Sequence, residues 1–433
     1  NFVLRPQMTP SQLSALPEAA MAEIENAALA SVYSPDERPG FVVRAVNCRQ
    51  APGRFHLRAT VLDFHGEETA ATSKEFHLPS RGTQRVSFNF KPHPRRGFYA
   101  VHFALLNSDN NVLDHVTRSF CVFPERPKGE NDPFFGLSAY RTSHWMAPVY
   151  ARLGIGAVLA HVAWLNQAGP DDVRFSGVDL AVSQYKQAGL DIYGFFHAEG
   201  TSHSWMIPGW ERENIRERRE AGRPPYGEPH FSALKRFADA AIQRYRDDID
   251  LWHIKNEIDG RMTSEADEPP ARYYINFIKT ISRAAREHDP GSKVTALSVT
   301  SRDAKNDYRC LRALWPELEA DVDQSWPHPY PSPRLIGPGS QWQVVDTYLR
   351  ERLRKASAIG AEFGHPKIGT SELGYGVAWS HGIDSKWQRV YAQLTARMLI
   401  LARSIPRMTY LGYFTGIESP DVDGFSYGMW AKD

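Results

Sequence analysis

Apolar and polar positions follow two rhythms along the chain, and the change between them divides it. From about residue 38 they alternate with a period of two, the pattern of half-buried strands. Phe41–Val46, Phe55–Asp63, Ser73–Leu78, Gln84–Phe90, Gly97–Leu106 and Val112–Phe123 read as strands, separated by turn signals such as Pro52-Gly53, Arg81-Gly82 and Asp109-Asn110-Asn111. Short strands at this spacing predict an antiparallel, Ig-like β-sandwich over residues 37–124. Ahead of it, residues 1–36 predict a helical or extended segment, with an Ala/Glu-rich helical pattern from Ser11 to Ala30.

A Pro/Gly/charged linker, Phe123–Gly129, opens the second part, residues 125–433, where strand-like and helix-like segments alternate. Strands are predicted at Phe134–Ser138, Ala157–Val162, Asp191–His197, Asp250–Glu257, Lys293–Ser298, Val322–Ser325, Lys367–Glu372 and Thr409–Thr415. Helices are predicted near His144–Leu153, Asp179–Ala188, Phe231–Arg246, Ala271–Glu287, Asp307–Leu318, Gln341–Ser357 and Trp387–Ser404. Eight strands with seven intervening helices predict a (β/α)8 TIM barrel. A doubly wound nucleotide-binding sheet would carry a Gly-rich phosphate turn, which is not found. Gly416–Asp433 is polar and Gly-rich, so the final helix is missing and the natural polypeptide is expected to continue. Two connections are long, Ala198–His230 and the Pro-rich Ser325–Ser340, and both follow strand C-termini, where barrels build their sites.

Composition narrows the partners. A chain of 433 residues with 42% hydrophobic residues buries large cores, and a net charge of +1 gives no electrostatic case for nucleic acid or an anionic membrane. Apolar runs are too short for a membrane span. Cys48, Cys121 and Cys310 are too few for a disulfide scaffold; Cys48 and Cys121 could pair within a sandwich or remain free thiols. The chain begins at Asn1 without a signal-peptide pattern, which suggests a processed N-terminus.

The candidate chemistry lies at two strand ends. Ile249–Glu257 closes the fourth barrel strand with Asn256-Glu257, and alternation puts Leu251, His253, Lys255 and Glu257 on one side. Glu372 ends the seventh strand, ahead of Leu373-Gly374-Tyr375-Gly376. Either glutamate alone could cap a loop or pair with a buried base. Together, on strands across a barrel from each other, they are expected to be the acid/base and nucleophile pair of a retaining glycosidase, with Asn256 able to meet a sugar 2-hydroxyl. After the sixth strand, Trp326-Pro327-His328-Pro329-Tyr330 offers Tyr330 to a carboxylate and His328 to a sugar hydroxyl or a glutamate. His197, Trp164, Trp205, Trp326 and Trp379 occupy positions where a barrel mouth holds sugars, aromatic rings among them as stacking platforms. The charged run Arg212–Arg223 either meets an acidic glycan or forms a solvated, salt-bridged surface. H-E-x-x-H, paired C-x-x-C and G-x-S-x-G are not found, and the first strand lacks H-x-H, so a metal-dependent or serine hydrolase is not indicated and no cofactor or metal is expected.

With these residues placed, the chain resembles clan A of the retaining glycoside hydrolases, and within it glycoside hydrolase family 39. The resemblance covers about residues 132–430 and rests on Asn256-Glu257, Glu372 and the His328-Pro329-Tyr330 loop. It implies Glu257 as acid/base, Glu372 as nucleophile, Asn256 as the 2-hydroxyl contact and Tyr330 as the nucleophile's hydrogen-bond partner. It also implies cleavage of a β-type bond in an oligo- or polysaccharide, and with that chemistry a secreted or periplasmic location. Ile258 stands where that family commonly continues with Pro, and here the sandwich precedes the barrel. The rival expectation is a non-catalytic carbohydrate-binding protein on the same fold, which would leave the carboxylates too far apart or misaligned.

Overall fold

In a computed structural model of the chain the described residues are 19–26, 28, 31–91, 96–124, 131–138, 144–197, 207–260, 270–330, 342–374, 377–378, 385–414 and 425–426. They fall into two compact units, residues 1–127 and 128–433.

The first unit holds two sheets. β1 (Ala19–Asn26), β3 (Gly40–Asn47) and β6 (Thr83–Asn89) form an antiparallel sheet in the order β1-β3-β6. β2 (Val32–Tyr33), β4 (Gly53–Asp63), β5 (Glu68–Leu78), β7 (Gly97–Asn107) and β8 (Val112–Val122) form the other, ordered β2-β8-β7-β4-β5. Period-two patterning explains the core: Phe55, Leu57, Ala59 and Val61 on β4 are buried with Phe41, Val43 and Ala45 from β3. Each of the six predicted strands is present. The helical expectation for Ser11–Ala30 is corrected where it can be followed, because Ala19–Asn26 is a strand paired with β3 from Ala19↔Asn47 to Asn26↔Phe41. The helix preference of Ala and Glu amounts to a few tenths of a kcal/mol per residue. Closing the β3 edge and packing Ala19, Met21 and Ile24 on the core outweighs it. Cys48 and Cys121 are free thiols.

The second unit is a closed parallel barrel. Its strands are β9 (Phe135–Leu137), β10 (Ala157–Ala163), β13 (Asp191–His197), β14 (Leu251–Ile254), β15 (Lys293–Ala296), β16 (Gln324–Ser325), β17 (Ile368–Leu373) and β19 (Met408–Tyr413). A hairpin, β11 (Gln167–Gly169) and β12 (Asp172–Val173), and a ladder, β18 (Val377–Ala378) with β20 (Phe425–Ser426), complete the strands. All eight predicted barrel strands and all seven predicted helices appear in sequence order. The third connection holds a further helix, Gly209–Glu220, where the sequence suggested only a long loop. The stretch after Phe414 lies outside the described residues apart from β20.

Inside the barrel, Trp326 stacks on Tyr410 at 4.7 Å and on His253 at 4.9 Å between ring centroids, and Phe195 covers the other side of His253 at 4.7 Å. Outside it, Trp252 packs on Phe196 at 5.0 Å, and Phe196 in turn meets Phe237 of the helix Glu228–Tyr245. Trp252 lies opposite Gly194 in the β13–β14 register, and a Cβ on Gly194 would stand 2.3 Å from two indole carbons. Gly194→Ala is therefore expected to overpack this wall and cost about 1–3 kcal/mol, read as a lower urea midpoint; an unchanged midpoint would contradict the packing described.

Candidate active site

β14 stops at Ile254, and the backbone then turns through two left-handed residues, Lys255 at φ +67° and Glu257 at φ +44°. Such values are uncommon for residues other than glycine and persist only where the surroundings hold them. Here the Lys255 amide donates to the Phe196 carbonyl at 3.2 Å and the Ile258 amide to the Ser298 carbonyl at 3.0 Å. The turn corrects one expectation. Lys255 does not join Leu251 and His253 inside the barrel; its ammonium sits 5.1 Å from the ring centre of Tyr274 on the helix Pro270–His288. Strand alternation ends where the left-handed residue begins, so Asn256 and Glu257 are aimed by the turn.

Glu372 reaches the same place from β17. Ser371 and Glu372 are consecutive, and simple alternation would send them to opposite faces. The β17–β19 register shifts between Thr370 and Leu373, an irregularity that re-aims side chains. Ser371 thus meets the interior histidines while Glu372 reaches the carboxylate opposite.

His328 joins the two glutamates. Fully buried, it places Nδ1 3.2 Å from Oε1 of Glu257 and 3.7 Å from Oε2 of Glu372. Its Nε2 lies 2.7 Å from the Ser371 hydroxyl and 2.9 Å from that of Ser298. The Tyr330 hydroxyl donates to Oε2 of Glu372 at 3.5 Å, and Asn256 also hydrogen-bonds that carboxylate. His328 was open to a sugar hydroxyl or a glutamate; it takes the glutamates. Asn256, Glu257, His328, Tyr330 and Glu372 are therefore assembled at one point.

Charge and burial compete there. Burial pushes the Glu372 carboxyl up to about 7, the charge of Glu257 adds to this, and His328, Asn256 and Tyr330 oppose it. Burial pulls the His328 imidazole down, but the charge of Glu372 and the hydrogen bond and charge of Glu257 outweigh it and raise it. The Glu372 carboxyl and the His328 imidazole therefore each depend on the charge of the other.

Two of the expected aromatic platforms are corrected. Trp326 is fully buried in the barrel interior, and Trp164 is fully buried, donating to Oε1 of Gln167 at 2.6 Å with its ring edge against His230. Both strand-end positions were right, but neither ring has a face left for a ligand. His197 ends β13, and its side chain, with Trp205 and Trp379, lies outside the described residues. The charged run is a salt-bridged helix. Arg216 pairs outward with Glu213 and Glu220, whereas Glu211 is buried between Arg218 at 2.6 Å and His230 at 2.9 Å. Ser298 and Ser371 escaped the sequence reading because isolated serines carry no pattern; the one signal was that Ser371 precedes Glu372.

Among the described residues two clusters have cation-binding spacing. Glu257, His328 and Glu372 offer atoms within 4.8 Å of one another, and Asp239, Glu287 and His288 form the other on the outer helices. In the second, the Lys235 ammonium already bridges Asp239 and Glu287 at 2.8 Å each.

The raised Glu372 carboxyl has a consequence for stability. A folded-state value above the unfolded one stabilises the protein below the unfolded value and loses that contribution as pH rises to the folded one. His328, also raised, acts in the same sense. The melting temperature of Glu372→Gln minus that of the unsubstituted protein is therefore expected to grow as pH rises from 4.5 to about 7. A flat or falling difference over that range in a thermal-melt series would show that Glu372 is not a raised carboxyl.

No protein-family model and no curated protein sequence matches the chain. Solved structures do. A family 39 glycoside hydrolase from the gut symbiont Bacteroides cellulosilyticus WH2 aligns over 94% of this chain and 79% of its own, with TM-score 0.61 and 13% identity. A calcium-binding mutant of Bacteroides uniformis beta-glucuronidase 2 aligns over 96% of this chain and 49% of its own, with TM-score 0.45 and 13% identity. A GH2 beta-galacturonidase from Eisenbergiella tayi aligns over 96% and 69%, with TM-score 0.43 and 13% identity. At such identity the likeness is one of fold: this chain has the (β/α)8 barrel and antiparallel sandwich of the family 39 structure.

Proposed function

We propose that the chain is a retaining glycoside hydrolase that cleaves a β-type bond in an oligo- or polysaccharide by double displacement. One observation carries the reading. Glutamates from the fourth and seventh strands have carboxyl oxygens held, with His328, within 4.8 Å of one another. One oxygen of each glutamate lying that close supports the shorter carboxyl separation of retaining enzymes, about 5–5.5 Å, over the about 6.5–9.5 Å that inverting enzymes leave for a water. A non-catalytic sugar-binding protein has no need to bring two carboxylates this close, at a cost in mutual repulsion.

Glu372 attacks the anomeric carbon while protonated Glu257 gives its proton to the leaving oxygen; Glu257 then takes a proton from water, which releases the sugar from Glu372. Asn256, next to both, takes the 2-hydroxyl. In the unliganded site burial favours a proton on Glu372, the reverse of what the first step needs. Sugar lying over Glu257, which is about one-third exposed, removes its water and favours its neutral form. Positive charge developing at the anomeric carbon, with Tyr330, Asn256 and His328, favours the Glu372 anion. Substrate binding therefore favours the ionised form of Glu372 and the protonated form of Glu257 that the first step needs. Trp205, Trp379 and His197 are assigned to sugar contacts from their place after the barrel strands. The location that suits a polymeric substrate is secreted or periplasmic.

Glu257→Gln and Glu372→Gln are each expected to lower kcat on an aryl β-glycoside by at least about 10²–10⁴. A 2-fluoro-sugar should label Glu372, identified by peptide mass spectrometry. Full activity in either variant, or a label on another carboxylate, would refute the assignment. Glycan affinity without turnover in the unsubstituted protein would favour the binding-protein alternative.

A further inference from the structure

The turn that carries Glu257 is tied at its far end by a carboxylate that the double displacement does not use. Asp259 stands two residues beyond Glu257, in the single helical turn Ile258–Gly260, and one residue takes both of its oxygens. The Thr300 amide donates to Oδ1 at 2.6 Å, and the Thr300 hydroxyl donates to Oδ2 at 2.6 Å. Hydrogen bonds to a carboxylate are short and about twice as strong as neutral ones, and a two-point grip also fixes direction. Thr300 follows β15, so the pair joins the loops after the fourth and fifth barrel strands.

Three consecutive residues of that fifth loop hold three parts of the site. Ser298 accepts the Ile258 amide on its carbonyl at 3.0 Å and the Glu257 amide on its hydroxyl at 3.4 Å. The Val299 carbonyl accepts the His328 amide at 2.8 Å. Thr300 holds Asp259, and its hydroxyl oxygen also accepts the Arg302 amide at 3.0 Å, capping the helix Ser301–Lys305. The loop therefore fixes Glu257 and His328 against each other, and Asp259 is the side chain with which the Glu257 turn grips it.

That grip has something to oppose. Glu257 sits at φ +44°, and across the contact Leu297 sits at φ +57°. Left-handed backbone is unfavourable for residues other than glycine and persists only where its surroundings over-determine it. From Lys255 to Asp259 the chain reads Lys-Asn-Glu-Ile-Asp, without a proline to stiffen it. The two amide bonds to Ser298, one of them long, would alone leave the turn a route back to ordinary backbone. The two short bonds at Asp259 close that route.

We propose that Asp259, clamped by Thr300, is a positioning residue that holds the Glu257 turn in its left-handed form and so fixes the Glu257 carboxyl where a leaving oxygen is protonated. The effect on turnover rests on the glycosidase reading; the clamp does not. With the clamp released Glu257 is still present but loses its aim, and a misplacement of about 1 Å costs on the order of 10²-fold in rate. The loss falls on proton transfer. A 4-methoxyphenyl leaving group needs the proton in order to depart, whereas 2,4-dinitrophenolate is stable enough to leave without it.

The test compares kcat/KM, which reports the first displacement, on 4-methoxyphenyl and 2,4-dinitrophenyl β-glycosides of glucose, galactose, xylose and glucuronic acid. On the sugar that the unsubstituted protein turns over, Asp259→Ala is expected to lose about 10–10²-fold with methoxyphenyl and less than about threefold with dinitrophenyl. Thr300→Val should show a smaller loss of the same kind, and Thr300→Ser, which keeps the hydroxyl, should remove it. Equal losses on the two leaving groups, the mark of general damage, or no loss on either would overturn the proposal. Hydrogen–deuterium exchange reads the clamp without substrate. A peptide spanning residues 254–260 should exchange about tenfold faster in Asp259→Ala, while one containing Ile368–Leu373 keeps its rate. An unchanged rate for residues 254–260 would also overturn the proposal, and Thr300→Val gives the same readings if Asp259→Ala does not fold. Faster exchange as expected, in a protein that hydrolyses none of these glycosides, would instead count against the glycosidase reading and leave the clamp standing.

Discussion

The site depends on one imidazole shared between two carboxylates. Moving charged groups out of water costs several kcal/mol each, and only close, hydrogen-bonded partners offset that. His328 is wholly buried and Glu372 nearly so, yet each has partners: two serine hydroxyls and two carboxylates around the ring, and His328, Asn256 and Tyr330 around Glu372. At these separations each ring–carboxylate attraction amounts to a few kcal/mol. Removing the ring would leave two carboxylates facing each other in a partly dry pocket, where one of them would have to stay neutral.

Holding that arrangement requires rigid walls, and the barrel supplies them. His253, Trp326 and Tyr410 form a stacked column across the interior, which fixes the floor under Ser371 and His328. On the fourth strand the left-handed residues Lys255 and Glu257 would relax in a free peptide. The amide bonds to Phe196 and Ser298 and the Lys255 ammonium over Tyr274 hold them. On the seventh strand the register shift allows adjacent residues to serve the floor and the site. The register shifts among the described barrel pairings fall on β17 against β19, while left-handed residues close both β14 and, at Leu297, β15.

Much of the fold was legible because burial imposes periodicity. Six sandwich strands and eight barrel strands each bury one face or both, and the pattern survives in composition. Ala19–Asn26 was misread because its helix preference is local, whereas the β3 edge that captured it is a non-local partner. The helix Gly209–Glu220 was missed for the related reason that its charges read as surface, although Glu211 and Arg218 are turned inward onto His230. Trp164 and Trp326 show the limit for aromatic residues, since a strand-end tryptophan serves a core or a sugar equally well and only the packing tells which.

By itself the sequence determined which groups could do the chemistry. Asn256-Glu257 closes a fourth strand and Glu372 a seventh, and strand count places them across a barrel, because parallel β/α units must close in chain order. The tertiary structure decided the rest. That His328 spans both glutamates, that Ser298 and Ser371 grip its far nitrogen, and that Lys255 turns away from the interior depend on left-handed turns and a register shift. Those features are set by long-range contacts rather than by residue type. Periodicity can say that a side chain faces inward; which of two consecutive side chains does so, and what it meets there, is settled only when the strands close on one another.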